Sequence, residues 1–81
     1  MSTNNLVKMA NQIGSFFETM QDHDQALSDI ASHLKRYWDP RMRRALLEHV
    51  AQEGGTDLTP IVLEAVNRHQ ARLAENANVH S

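Results

Sequence analysis

Tyr37-Trp38-Asp39-Pro40-Arg41-Met42-Arg43-Arg44 decides how this chain is divided. The residue before a proline avoids the α region, so a helix arriving from the N-terminal side stops here. Asp39 is suited to cap a new helix, and Pro40 to its first position, where the missing N–H costs nothing. The stretch therefore predicts helix, short turn, helix. It also holds the only Trp and the only Tyr. With Lys35 and Arg36 just before it, five of the eight Lys and Arg residues fall between positions 35 and 44. That window carries a net +4 and the remainder −6, so a chain of formal charge −2 is electrically two-ended.

Upstream of the turn, Leu27, Ile30, Ala31, Leu34 and Trp38 repeat at helical spacing and predict a second helix from about Asp24 to Tyr37. Lys35 and Arg36 at its end suit the negative pole of the helix dipole. Gln21-Asp22-His23-Asp24 reads as a short connection with acidic caps. A first helix begins near Thr3 to Asn5, either end of which supplies a capping side chain. Leu6, Met9, Ala10, Ile13, Phe16, Phe17 and Met20 share one broad face of it, with Gly14 at the edge beside Val7 and Ala10. A glycine inside a helix costs up to ~1 kcal/mol against alanine, which close approach of another helix offsets.

Downstream, the third helix runs to about Glu53 and closes at Gly54-Gly55. Its core stripe is Met42, Ala45, Leu46, His49 and Val50, with Leu47 and Ala51 pointing elsewhere beside Arg43 and Arg44. Thr59-Pro60 repeats the restart signal, Thr59 as cap. A fourth helix then extends to about Leu73, with Leu58, Ile61, Val62, Ala65, Val66, His69 and Leu73 as its stripe and Leu63 opposite, exposed. Ala74 to Ser81 is small and polar and is expected to fray.

The fold expected is all-α: a small compact bundle of four short helices over residues 1–73, with turns at about 21–24, 38–39 and 54–58 and a flexible tail at 74–81. Its core is expected to be Leu6, Ile13, Phe17, Leu27, Ile30, Leu34, Trp38, Leu46, Val50, Ile61, Ala65 and Val66. Eighty-one residues make one domain at most, with a thin core. No cysteine is present, which excludes disulfides and agrees with a reducing compartment. No apolar run nears the ~20 residues needed to span a bilayer. Met-Ser-Thr-Asn-Asn lacks the basic and apolar runs of a signal peptide, so a cytoplasmic protein away from membranes is expected.

Little here resembles reaction chemistry. His23, His33, His49, His69 and His80 include no i, i+4 pair and no Glu-x-x-His spacing, so core, interface or solvated histidines are expected rather than metal ligands. There is no nucleophile elbow, and Gly54-Gly55 has no Lys-Ser/Thr after it to cradle phosphate. What remains is a basic corner around an indole. Its plainest reading is solvated surface. Yet Arg41, Arg43 and Arg44 oppose the dipole at a helix N-terminus, and residues that break a local rule often have a partner. Tyr37, Trp38, Arg41, Arg43, Arg44 and Leu47 are therefore the candidate partner-binding residues. A helix-turn-helix nucleic-acid-binding regulator is the alternative, with the three arginines opening a recognition helix. The −6 body disfavours it near a phosphate backbone, so a protein partner is expected and nucleic acid is not.

Beyond these local signals, a family pattern is visible. Asn5-Leu6-Val7-Lys8-Met9-Ala10-Asn11-Gln12-Ile13, the Phe16-Phe17 pair, Tyr37-Trp38-Asp39-Pro40-Arg41-Met42-Arg43 and Gly54-Gly55 before Leu58-Thr59-Pro60-Ile61-Val62 and Ala65-Val66 occur in one order. Together they resemble the delta subunit of NAD-dependent, molybdenum-containing formate dehydrogenases. Tyr37 stands where Phe is usual in that family, a change that keeps the aromatic body. The resemblance implies a non-catalytic accessory subunit of a cytoplasmic complex, holding no cofactor itself. In such complexes a catalytic alpha subunit carries bis-molybdopterin guanine dinucleotide and iron–sulfur clusters. Electrons reach NAD through an FMN-bearing beta subunit helped by gamma. The delta chain is expected to dock on the catalytic subunit and support assembly, stability or molybdenum-cofactor maturation.

Overall fold

Asp39 caps as its position suggests: its Oδ1 accepts from Met42 N–H at 3.0 Å, and Pro40 opens the helix that follows. In the computed structural model, which describes residues 2–75, that helix is α3 (Pro40–Glu53) and the one before it α2 (His23–Tyr37). Trp38 is extended between them, while its N–H still bonds to Leu34 O at 3.0 Å. The other helices among the described residues are α1 (Thr3–Phe17), α4 (Pro60–Arg68) and the short α5 (Gln70–Ala74). Asp22 caps α2 by accepting from Gln25 N–H at 3.0 Å. Gly54, at φ 80°, closes α3 in the left-handed region that glycine occupies without strain.

α2 lies at the centre, packed against α1, α4 and α5, while α3 packs on α1 and α5. The shortest dimension is 17 Å, the depth of two helix layers about 9 Å apart. Leu27, Ile30, Ala31 and Leu34 are completely enclosed, which is the physical reason that α2 organises the rest. Burying a side chain of that size contributes roughly 1.5–3 kcal/mol.

The expected bundle of four becomes five helices among the described residues, because the last one breaks at His69 (φ −109°, ψ 29°). Neither Pro nor Gly marks that break. It redirects the chain so that Leu73 is buried against the core and α5 lies along α3 and α2. Five residues do not hold a helix by propensity, so tertiary contacts must hold this one. Of the tail expected over 74–81, Ala74 is helical, and residues 76–81 lie outside the described part, as does His80.

Ten of the twelve expected core residues are buried; Ile13 and Phe17 are only half-buried. In their place Val7, Ala10, Ala26, Ala31, Leu58, Val62 and Leu73 complete the core. Leu63 and Leu47, expected to point away, are half-buried against it. Two helix starts also differ. Neither Ser2, which precedes α1, nor Thr59, which precedes α4, makes a side-chain cap bond. At Thr59 the capping comes from another helix. Asn11 Oδ1 on α1 accepts from Thr59 N–H at 2.9 Å, and its Nδ2 donates to Asp57 O at 3.0 Å. The Thr59 hydroxyl is left buried with no hydrogen-bond partner.

His49, placed on the α3 stripe by its spacing, is a hydrogen-bonded edge residue. Its Nε2 lies 2.9 Å from Asp57 Oδ1, closing the turn after α3, and that bond holds the Asp57 carboxyl below its ordinary 3.8. The ammonium of Lys35, 2.7 Å from Glu75 Oε1, likewise holds Glu75 below its ordinary 4.5. A carboxyl whose pKa is lower folded than unfolded adds stability above the unfolded value, and that stability is lost as pH falls through the folded one. The urea midpoint is therefore expected to fall as pH drops below about 4, and Asp57→Asn to lessen that fall. An acid-insensitive midpoint would mean that neither pairing forms in solution.

Candidate partner-binding surface

At 100° per residue the apolar positions of α1 cover roughly half of its circumference, more than one neighbouring layer fills. Leu6, Val7, Ala10 and Gly14 face inward. Met9, Ile13, Phe16 and Phe17, with Met20 just past the end, form the other half, of which the core covers only Ile13 and Phe17, and those in part. Phe16 is 78% exposed, the largest uncovered apolar side chain of the described residues. Tyr37, at the end of α2, is 66% exposed.

These residues border one groove. Met9, Ile13, Phe16 and Phe17 from α1 meet His33, Tyr37 and Trp38 from the end of α2 and Met42 from the start of α3, around about 540 Å³. Four rings form a row across it. Phe16 meets Phe17 edge-on with centroids 5.2 Å apart; Phe17 lies 6.4 Å from His33, and His33 lies 4.7 Å from Tyr37. Single exposed apolar residues need no explanation, whereas a contiguous aromatic groove is a candidate contact site. A second hollow of about 600 Å³ adjoins it, sharing Phe17, His33 and Tyr37 and adding Asp29, Ser32, Lys35, Arg36 and Arg72. Among the described residues no group of three or more His, Cys, Asp or Glu is arranged to hold a metal. No described helix is long and apolar enough to cross a membrane.

The six residues expected at one corner divide between surface and interior. Tyr37 stands on the groove's rim, and Trp38, 5% exposed, lines its floor. Arg41 and Arg44 are exposed on α3, and Leu47 is half-buried against the core. Arg43 is 1% exposed and cannot meet a partner at the surface of this fold. Its Nη1 donates to Lys35 O at 2.9 Å and its Nη2 to Glu75 O at 2.7 Å. The reason is its register: Arg43 lies three residues before Leu46 and seven before Val50, the buried side of α3. A recognition helix built on three arginines thus loses one of them to the interior.

Met9, Ile13, Phe16, Phe17, His33 and Met42 belong to the surface and were absent from the expected set. The signal for four of them was the breadth of the α1 apolar face. Nothing in the sequence alone shows which half of that face the core takes.

The model of the family described as NADH-dependent formate dehydrogenase delta subunit FdsD matches residues 5–66. No curated protein and no solved structure matches the chain. The matched span runs from the first turn of α1 through Val66 in α4, and includes every segment on which the resemblance rests as well as every residue lining the groove. It is more than half of the 81 residues, and the chain belongs to the family of NADH-dependent formate dehydrogenase delta subunits.

Proposed function

We propose that this chain is a non-catalytic accessory subunit of a cytoplasmic formate dehydrogenase complex, that it docks on the catalytic alpha subunit through the aromatic groove, and that its docking supports assembly or stability of the complex. In this reading the bis-molybdopterin guanine dinucleotide, iron–sulfur clusters, FMN and NAD are held by the alpha, beta and gamma subunits. The observation that carries it is the groove itself: Phe16 and Tyr37 stand largely in water beside half-buried Phe17 and Met42. Aromatic residues of that kind are the anchors that dominate protein interfaces. Trp38 supports them from below, and Arg41, Arg44 and Leu47 remain candidate contacts on α3.

Phe16→Asp tests it. The residue lies outside the core, so the variant should keep the helical signal and melting behaviour of the parent chain. Loss of one interface anchor costs about 2 kcal/mol, on the order of 30-fold in affinity. The variant is therefore expected to be largely lost when the catalytic subunit is purified by affinity tag, with Arg44→Glu giving a smaller loss. Full retention of Phe16→Asp would place the contact elsewhere on the molecule.

A further inference from the structure

We infer that the segment seated on this surface is acidic and amphipathic, with apolar side chains in the aromatic groove and carboxylates over the adjoining basic hollow. The inference rests on the docking reading above and adds the chemistry of the partner. Groove and hollow are one continuous surface, because Phe17, His33 and Tyr37 line both. Past those rings the lining changes from Met9 and Met42 to Lys35, Arg36 and Arg72.

The cations of the hollow are incompletely matched. Lys35 is paired with Glu75 at 2.7 Å. Arg72 donates its Nη2 to the neutral Ser32 hydroxyl, 2.6 Å away, and shares with Lys35 the single charge of Glu75, whose carboxyl it helps to hold low. Arg36 is exposed and has no ion pair among the described residues. Opposing them in the lining is Asp29, which accepts from the neutral Gln25 Nε2 at 2.8 Å and keeps its charge. Three cations thus meet two carboxylates here, and a carboxylate arriving from outside finds the exposed Arg36 guanidinium without an acid paired to it.

The rest of the molecule makes that preference directional. Lys35 and Arg36 belong to the stretch 35–44, which carries a net +4 against −6 for the remainder, so an acidic segment is drawn to that stretch over the rest of the chain. The same field disfavours a nucleic-acid backbone, whose charge extends well beyond one hollow and would lie against the acidic body. A segment with a few carboxylates next to an apolar stretch fits both parts. An apolar segment without acids would fill only the groove, and a polyanion only the hollow.

The test uses the full chain and the formate dehydrogenase complex purified without it. With p-benzoylphenylalanine in place of Phe16, irradiation is expected to join the chain to a peptide of the complex bearing Asp or Glu within about one helical turn of the attachment point. Arg36→Glu is expected to raise the dissociation constant about tenfold and to flatten its dependence on salt, as loss of a rim charge does. Attachment to a neutral or basic segment, to a second copy of this chain, or an Arg36→Glu variant with unchanged affinity and salt slope overturns the inference while leaving the groove as a contact. Preferential binding of a single-stranded oligonucleotide over the complex overturns it in favour of nucleic acid. No attachment to any polypeptide, with Phe16→Asp still binding, overturns both this inference and the docking reading beneath it.

Discussion

Arg43→Met is expected to cost this chain about 2–4 kcal/mol of stability, a large fraction of what a domain of this size has. The guanidinium sits among enclosed side chains and bonds two main-chain carbonyls, Lys35 O at 2.9 Å and Glu75 O at 2.7 Å. Lys35 O is among the last carbonyls of α2, which the helix itself leaves without donors. A cation from the next helix therefore closes α2 and, through the second bond, ties down the residue that follows α5. Each bond from a charged donor is worth roughly 1.5–3 kcal/mol. Against that stand the cost of burying the charge and the unpartnered, buried Nε. Methionine fills similar space and removes both costs, yet leaves two carbonyls without a donor, so the balance falls to the arginine. Arg43→Lys keeps the charge but not the planar fork, and should lie between the two. Arg43→Glu aims a carboxylate at two carbonyls and should unfold the domain. Urea titration of the four proteins is expected to rank them Arg, Lys, Met, Glu. A methionine variant as stable as the parent would mean that the two carbonyls need no donor. The ranking also decides how docking is tested: reversal at Arg43 would abolish copurification by unfolding, whereas Arg41 and Arg44 report on contact.

The register of Arg43 also marks where a sequence can be read and where it cannot. Asp39-Pro40 and Gly54-Gly55 define helix limits through backbone restrictions that act within a residue or two, so those limits were legible. The break at His69 was not, because no residue there forbids the α conformation; burial of Leu73 and the bonds to Glu75 decide it from a distance. Thr59 looked like a cap by type, yet Asn11, 48 residues away in sequence, accepts its N–H. The arginines of α3 looked alike because charge suggests surface, while position relative to Leu46 and Val50 put one of them inside. Likewise the aromatic residues of α1 carried the right message, an apolar face, without saying that a layer only two helices deep covers half of it only in part. The contact surface was thus readable as a docking corner around Tyr37 and Trp38, but its α1 wall depended on packing that no local pattern encodes.

Packing of α1 also governs the second large effect, expected at Gly14. By helix propensity Gly14→Ala should stabilise by up to ~1 kcal/mol. The structure argues the reverse. A Cβ at Gly14 would overlap Val62 Cγ2, and would lie 3.4 Å from Ile61 Cγ2 and 3.5 Å from Thr59 Oγ1. Val62 is fully buried near the start of α4, and a β-branched side chain in a helix has one strongly preferred rotamer, so its methyl cannot swing aside. The helices must separate instead, and overpacking of this kind costs about 1–3 kcal/mol. Gly14→Ala is therefore expected to be less stable than the parent by about 1 kcal/mol, and Gly14→Leu by 3 kcal/mol or more, on the order of the limit for overpacked cores. Val62→Ala opens the space, so the Gly14→Ala, Val62→Ala pair should be more stable than the two single losses predict, by about 1–2 kcal/mol of coupling. A single Gly14→Ala variant that gains the full propensity increment would mean that α1 and α4 do not meet at this point. The consequence reaches the groove, because Gly14 seats the inward half of the same helix whose outward half carries Met9, Ile13, Phe16 and Phe17. Displacing α1 from α4 turns that wall relative to Tyr37 and Trp38, and so weakens docking in a variant that touches no contact residue.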